Sequence, residues 1–302
     1  MGYTFNVSVI VPTFNRVRSL DRLLESLSSL NIPDGVLLDI LAVDNGSTDS
    51  TKTLLEQKQT KFTGFTLRIL QEIERGKANA LNKGLSDAKG NVILILDDDV
   101  VVDSQCLVQH LKCYRTTEFD ALQGRVLPGV DAEGKPADSS RLLEYNVPIV
   151  DYGLEIREIR GLTGTNISFK REVVEKVGFF DTRLGPGISG FSEDTEFAMR
   201  VRQAGFKIGY APYAIAYHEL DPKRYGRAYN RMVQYRKGIS RSIYRRESVV
   251  MHALPNLLVN SIRYIFYKFL GKRLKAFKTE GRIMRYWGYI LGRAKKRMGR
   301  VF

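Results

Sequence analysis

Four short apolar runs constrain this chain more than any other feature: Val7–Pro12 (VSVIVP), Leu38–Val43 (LDILAV), Thr66–Leu70 (TLRIL) and Val92–Leu96 (VILIL). They are rich in β-branched residues and almost unbroken in hydrophobicity, which suits strands covered on both faces. Between them lie helix-like stretches at Ser19–Leu30, with Pro33 beyond it, at Ser47–Lys58, and at Lys77–Ala88, which Gly90 stops. This alternation predicts an α/β fold, with a Rossmann-like, mostly parallel, doubly wound sheet carrying helices on both faces.

Residues 124–164, rich in Gly, Pro and Asp, read as loops with short strands, where binding residues concentrate. Helices follow at Arg171–Val177 and Ser192–Gln203, the second capped by Ser192 and stopped at Gly205, and strands Lys207–Ala211 and Ala214–His218 close the domain. With 302 residues and a hydrophobic share of 43%, the chain can bury a sizeable core. The predicted division is a domain of residues 1–220, in halves 1–100 and 101–220, and a basic helical extension of residues 221–302.

That extension concentrates the charge. Of a net +14, Lys223 to Phe302 carry 22 Lys/Arg against Glu247 and Glu280, or +20, which leaves the rest at −6. An anionic partner for the extension alone follows. Leu254 to Met298 mix aromatic and aliphatic residues with cations, a composition suited to the surface of an anionic bilayer; packed helices with a solvated basic face compete, and nucleic acid ranks last because no reading motif accompanies the charge. No run approaches the roughly 18 apolar residues of a membrane span, and Met1–Val11 carry no signal-peptide pattern. Cys106 and Cys113, the only cysteines, offer no disulfide framework. The expectation is a cytoplasmic protein, peripheral on the cytosolic face of a membrane.

In open α/β sheets, ligands bind beyond the carboxyl ends of the strands. Three of the runs end there in polar clusters: Thr13-Phe14-Asn15-Arg16, Asp44-Asn45-Gly46-Ser47-Thr48-Asp49 and Asp97-Asp98-Asp99. Three adjacent carboxylates repel one another, whereas a hard divalent cation neutralises them and bridges to phosphate oxygens; the competing reading is an acidic turn in water. Asp44 to Asp49 equally suit a turn with a helix cap. Arg75-Gly76-Lys77 brings two cations and free N–H groups to a helix start, which fits phosphate or a solvated basic turn. Glu193 and Asp194 open a helix, where acids also stabilise the macrodipole, and the flexible run Gly185–Gly190 precedes them as a segment able to close over a substrate. His218 on its own reads as structural more readily than as a ligand.

Six segments, in this order, resemble the family 2 glycosyltransferases: VSVIVPTFNR (Val7–Arg16), VDNGSTDST (Val43–Thr51), RGKANALNKG (Arg75–Gly84), LDDDV (Leu96–Val100), GTNISFKREVVEKVGFFD (Gly164–Asp181) and SEDTEFAMRVRQAGF (Ser192–Phe206). The resemblance spans Val7 to His218 and implies the GT-A fold. It implies an inverting enzyme that moves a sugar from a nucleotide-diphosphate donor to an acceptor hydroxyl, in glycan, exopolysaccharide or glycolipid biosynthesis. By this resemblance Pro12, Thr13, Asn15 and Asp44 contact the nucleoside, with Asp44 on the base, and Arg75 and Lys77 flank the donor. Asp97 turns toward the ribose, Asp98 fills the variable position of the DxD pattern, and Asp99, with His218 as a further ligand, holds Mg²⁺ or Mn²⁺. Asp194 is the general base and Glu193 its acidic neighbour.

Processive members carry a Gln-x-x-Arg-Trp motif with membrane spans; here the only tryptophan, Trp287, lies in MRYWG. Transfer of one sugar to a glycan or lipid-linked acceptor is therefore expected. The competing functions are a sugar nucleotidyltransferase, which normally opens with a glycine-rich phosphate loop that Pro12-Thr13-Phe14-Asn15 lacks, and a non-catalytic membrane-binding scaffold.

Overall fold

The four apolar runs become strands β1 (Asn6–Thr13), β2 (Leu37–Asp44), β3 (Thr66–Gln71) and β4 (Val92–Leu96). They alternate with helices α1 (Val17–Ser28), α2 (Thr51–Gln59) and α3 (Lys77–Asp87). In this computed structural model, residues 5–60, 62, 64–131, 135 and 149–297 are described. The chain forms two units, one of residues 1–137, 147–182 and 193–220, the other of residues 138–146, 183–192 and 221–302.

The first unit continues with β5 (Val100–Val102), α4 (Cys106–Thr116), β6 (Ala121–Asp131), β7 (Arg157–Glu158), β8 (Asn166–Lys170), α5 (Arg171–Val177), α6 (Glu193–Gln203) and β9 (Ile208–Leu220). The nine strands join one sheet of order β3-β2-β1-β4-β8-β6-β9-β5, with β7 on β9. Pairings among β1 to β4 are parallel, as the alternation predicts. Beyond β4 the sheet is mixed: β6 and β9 run parallel, while β4–β8, β6–β8, β5–β9 and β7–β9 are antiparallel. An antiparallel neighbour needs no crossover helix, so the second half shows less of the alternating pattern that betrays the first.

The two strands expected at Lys207–Ala211 and Ala214–His218 are one 13-residue strand, β9. Pro212 supplies no N–H to a ladder, and the register against β6 jumps there, from Gly124↔Ala211 to Arg125↔Ile215. The helix expected at Ser47 begins at Thr51, because residues 45–50 turn beyond β2. Ser192, expected to cap α6, takes φ 79° in the left-handed region.

Apolar layers cover both faces of the sheet. Leu20, Leu23, Leu24 and Leu27 of α1, with Leu55, Leu107 and Leu111, fill one layer; Leu81, Leu85, Val173, Phe197 and Val201 fill the other. The α1 leucines follow the i, i+3, i+4, i+7 spacing of an amphipathic helix, and each buried leucine contributes about 1.5–3 kcal/mol. Cys106 and Cys113 lie free and buried in α4.

The second unit is helical: α7 (Arg227–Tyr244), α8 (Leu254–Phe269) and α9 (Arg273–Arg297), with a π turn at Val249–Ala253 before α8. Helices α7 and α9 meet at glycines. A Cβ on Gly238 would stand 2.0 Å from the Arg285 carbonyl oxygen, and one on Gly288 would stand 2.1 Å from that of Tyr235. Both acids of the extension are paired, Glu247 with Arg241 and Glu280 with Arg227 and Arg231. Ser189 of the segment 183–192 lies 2.9 Å from Ser240 of α7, hydroxyl to hydroxyl. Among the described residues no helix is long and apolar enough to cross a membrane.

Candidate active site

The carboxyl ends of β1, β2 and β4 lie side by side because β1 pairs in parallel with both neighbours. Their polar tails therefore face one region, and β8, α6 and the end of β9 complete it. The three consecutive aspartates each find a different partner there.

Asp97 pairs with the Lys77 ammonium at the start of α3 and accepts the Thr165 hydroxyl at 3.2 Å. Asp98 accepts the Thr13 hydroxyl at 2.8 Å, which ties the end of β1 to the end of β4. Asp99 receives Nη1 of Arg16 at 2.5 Å and lies 3.3 Å from Nε2 of His218, which pairs with Val100 in the β5–β9 ladder.

Electrostatics reflect crowding. Burial pushes the Asp98 carboxyl up to about 7, against the pull of Arg16 and with further push from Asp99 and Asp97. Burial also raises Glu193 to about 7, helped by Asp194 and opposed by Lys77. Burial disfavours the charge on Lys77, but Asp97 and Glu193 outweigh it and hold the ammonium well above its ordinary value. The Arg16 guanidinium is likewise disfavoured by burial and stabilised overall by Asp99, Asp98 and Asp97. Two fixed cations thus face five acids, Asp97, Asp98, Asp99, Glu193 and Asp194. The region would gain from a further positive charge.

The Asp99–His218 pair tests whether a divalent ion fits. His218 Nδ1 lies 2.7 Å from the Glu219 carbonyl oxygen. A carbonyl only accepts, so Nδ1 donates to Glu219, and Nε2 is the ring atom turned toward the Asp99 carboxylate. An imidazole nitrogen and a carboxylate oxygen 3.3 Å apart are donor types that a divalent cation takes. A carboxylate with an imidazole suits Mn²⁺, which tolerates a nitrogen ligand, and the carboxylate oxygen suits Mg²⁺. Among the described residues no group of three or more His, Cys, Asp or Glu side chains forms a self-sufficient metal cage. An ion held by these two side chains would take its remaining ligands from water or phosphate oxygens.

Asp194 lies in the first turn of α6, partly exposed beside buried Glu193. Its Oδ2 accepts the Gly164 N–H at 2.9 Å, and its Oδ1 accepts the Thr195 N–H at 2.6 Å. A Cβ on Gly164 would stand 3.3 Å from Nζ of Lys77 and 3.6 Å from Cβ of Asp194, so the three residues meet closely at this corner.

The other sequence-derived residues lie around this centre. Asp44 is buried at the end of β2, and its Oδ1 accepts the Ser47 N–H at 2.9 Å. Asn15, at φ 53°, accepts the Thr48 N–H at 2.7 Å and shapes the turn beyond β2. Pro12 is buried in β1 opposite Val43. Arg75 is exposed, its guanidinium 5.7 Å from the ring of Phe14, and so does not join Lys77 among the acids. Sequence reasoning singled out neither Arg16 as the cation on Asp99 nor Gly164 and Thr165 as the supports of Asp194 and Asp97. Arg16 ends the polar cluster after β1, which was the available signal.

The glycosyl transferase family 2 model matches residues 8–178, more than half of the chain. Glycosyltransferase AglE of Haloferax volcanii is 27% identical over 220 residues, covering 72% of this chain and 67% of its own length. The poly-β-1,6-N-acetyl-D-glucosamine synthase of Staphylococcus epidermidis is 23% identical over 239 residues, 77% of this chain, which spans only 54% of that protein. In fold the chain is similar to the mannosyltransferase PcManGT from Pyrobaculum calidifontis, solved with GDP-Man and Mn²⁺, at a TM-score of 0.64 and 20% identity, covering 98% of this chain and 88% of the other. With a GT-A-like α/β sheet, three consecutive aspartates following β4 and a family match running from within β1 to the end of α5, this chain belongs to glycosyl transferase family 2.

Proposed function

We propose that this transferase moves a single sugar from a nucleotide-diphosphate donor to an acceptor hydroxyl, with inversion at the anomeric carbon and Asp194 as the general base. One observation carries the reading: Asp194 is partly exposed and held at both oxygens, next to the Lys77–Asp97 pair that leads to Asp99. A hydroxyl is a poor nucleophile, and a positioned carboxylate that takes its proton during attack contributes about 10²–10⁴-fold. Displacement in one step needs no second nucleophilic carboxylate. The acceptor belongs to a growing glycan, exopolysaccharide or glycolipid.

Asp99 and His218 would hold Mg²⁺ or Mn²⁺, which when bound supplies positive charge to the pyrophosphate. Lys77 adds a second cation near the departing phosphates. Asp44, Asn15, Thr13 and Pro12 line the nucleoside side, Arg75 its rim, and Asp97 the ribose side, with Asp98 holding Thr13 in place. Because the fold neighbour holds GDP-Man and Mn²⁺, calorimetric titration with GDP, UDP and dTDP in the presence of Mn²⁺ is the first test of the donor base.

The activity test is Asp194→Asn. Turnover of the preferred donor falls at least about 100-fold, nucleotide affinity stays within a few-fold, and the wild-type product has the inverted anomeric configuration by NMR. Undiminished turnover in the variant, or a retained configuration, would overturn the reading.

A further inference from the structure

Helix α8 is built inside out. Only one of its residues is fully buried, and that residue is polar: Asn260 is 4% exposed. The same side carries Asn256 and Tyr264, whose hydroxyl accepts from Arg227, with Leu257 and Tyr267 half-buried beside them. The outward side is apolar: Leu258 is 63% exposed, Ile262 59%, Ile265 67% and Phe269 89%. At 3.6 residues per turn, Leu254, Leu258, Ile262, Ile265 and Phe269 fall within an arc of about 80°, and Phe266 and Val259 widen it to about 140°. Leu270 and Leu274 extend the exposed patch past the helix end, and Val250 and Met251 extend it before the start.

An amphipathic helix in water turns its apolar side inward, because exposed apolar surface is costly. A continuous apolar stripe on the outside marks a surface that is covered in use. The structure assigns this stripe to the surface of an anionic lipid bilayer. The assignment stands independently of the transferase reading.

Charge decides between a bilayer and a second copy. Arg263 and Lys268 flank the stripe, Lys272, Arg273, Lys275 and Lys278 follow it, and all six are exposed. A symmetric pair of stripes would bring two such basic rims together within about a Debye length, roughly 8 Å at physiological salt, where they repel. Anionic headgroups attract the same rims. Sixteen residues span about 24 Å, short of a hydrocarbon core of about 30 Å, and Arg263 sits mid-helix. The helix therefore lies along the interface, with its aliphatic and phenyl groups among the upper acyl chains and its polar side kept against α9.

The test is flotation of the full chain with vesicles of phosphatidylcholine alone or of equimolar phosphatidylcholine and phosphatidylglycerol. The wild-type protein floats with the anionic vesicles at least tenfold more than with the neutral ones. Leu258→Gln/Ile265→Gln/Phe269→Ser loses at least tenfold of that binding while its circular dichroism and thermal melt match the wild type. Lys268→Gln/Lys272→Gln/Arg273→Gln loses the preference for anionic lipid. Wild-type protein left in the bottom fraction with both vesicles, or an apolar variant that floats as well as the wild type, would overturn the assignment. So would a wild-type dimer in analytical ultracentrifugation that the apolar triple variant reduces to monomer, since that outcome gives the face to a second copy.

Discussion

Nζ of Lys77 pairs with Asp97 at the end of β4 and lies 3.7 Å from Oε1 of Glu193 at the start of α6, so one cation joins the two acidic corners of the site. Removing one partner from this partly buried ion pair leaves an uncompensated charge, at a cost of about 1–3 kcal/mol. Lys77→Met should lower unfolding free energy by that order in urea titrations. Arg75→Ala, two residues away but exposed, should change it by less than about 1 kcal/mol.

Glu193 gives a pH signature of known sign. Its carboxyl is raised from 4.5 to about 7 in the fold, chiefly by burial. The fold therefore favours the neutral acid, and this contribution is present below the unfolded value and lost as pH rises through about 7. Glu193→Gln should gain on the order of 3 kcal/mol over wild type at about pH 8, shrinking to nothing near pH 4. Thermal melts across that range measure it, and equal melts at alkaline pH would contradict it.

His110 gives the opposite signature. It is buried in α4, with Nε2 2.9 Å from Oδ1 of Asn166 and Nδ1 3.0 Å from the Ser168 hydroxyl. Burial lowers it from 6.5 to about 4. The neutral ring is favoured, so its contribution is present above about 6.5 and is lost as pH falls through about 4, on the order of 3 kcal/mol in all. Urea unfolding at stepped acidic pH should show this loss in the wild type and a flatter slope in His110→Gln.

The α7–α9 crossing should tolerate no side chain at Gly288. A methyl group 2.1 Å from the Tyr235 carbonyl forces the helices apart. Overpacking of this kind costs about 1–3 kcal/mol. Gly288→Ala should lower the melting temperature of the chain by several degrees, and an unchanged melt would show that α7 and α9 can separate freely.

The strands β1 to β4 and helix α3 were legible because unbroken apolar runs and a closing glycine are local signals. Helix α2 was legible only in part, since the Asp44 to Asp49 turn and a helix start share the same residue types, and Asp44 and Asp49 bond within the turn. The three aspartates were legible as a site, but not their division of labour. Asp97, Asp98 and Asp99 diverge toward Lys77, Thr13 and Arg16 because three strands converge there, and no local spacing encodes that. The mixture of cations and apolar residues in α8 was equally visible, whereas the burial of Asn260 on its inward side was not, because helical spacing alone does not say which face meets a neighbouring helix.

The buried contacts of His110 reach further than α4. Asn166 and Ser168 are alternate residues of β8, so both point to the same side of the sheet, toward His110 and Tyr114. Sliding β8 by one position would put Thr165 and Ile167 there instead and leave the imidazole facing a methyl-rich wall. Such a slip would also carry the Thr165 hydroxyl away from Asp97, which it now touches at 3.2 Å. An inner polar ladder thus acts as a vernier, setting to within one residue the alignment of a reactive edge that it never meets.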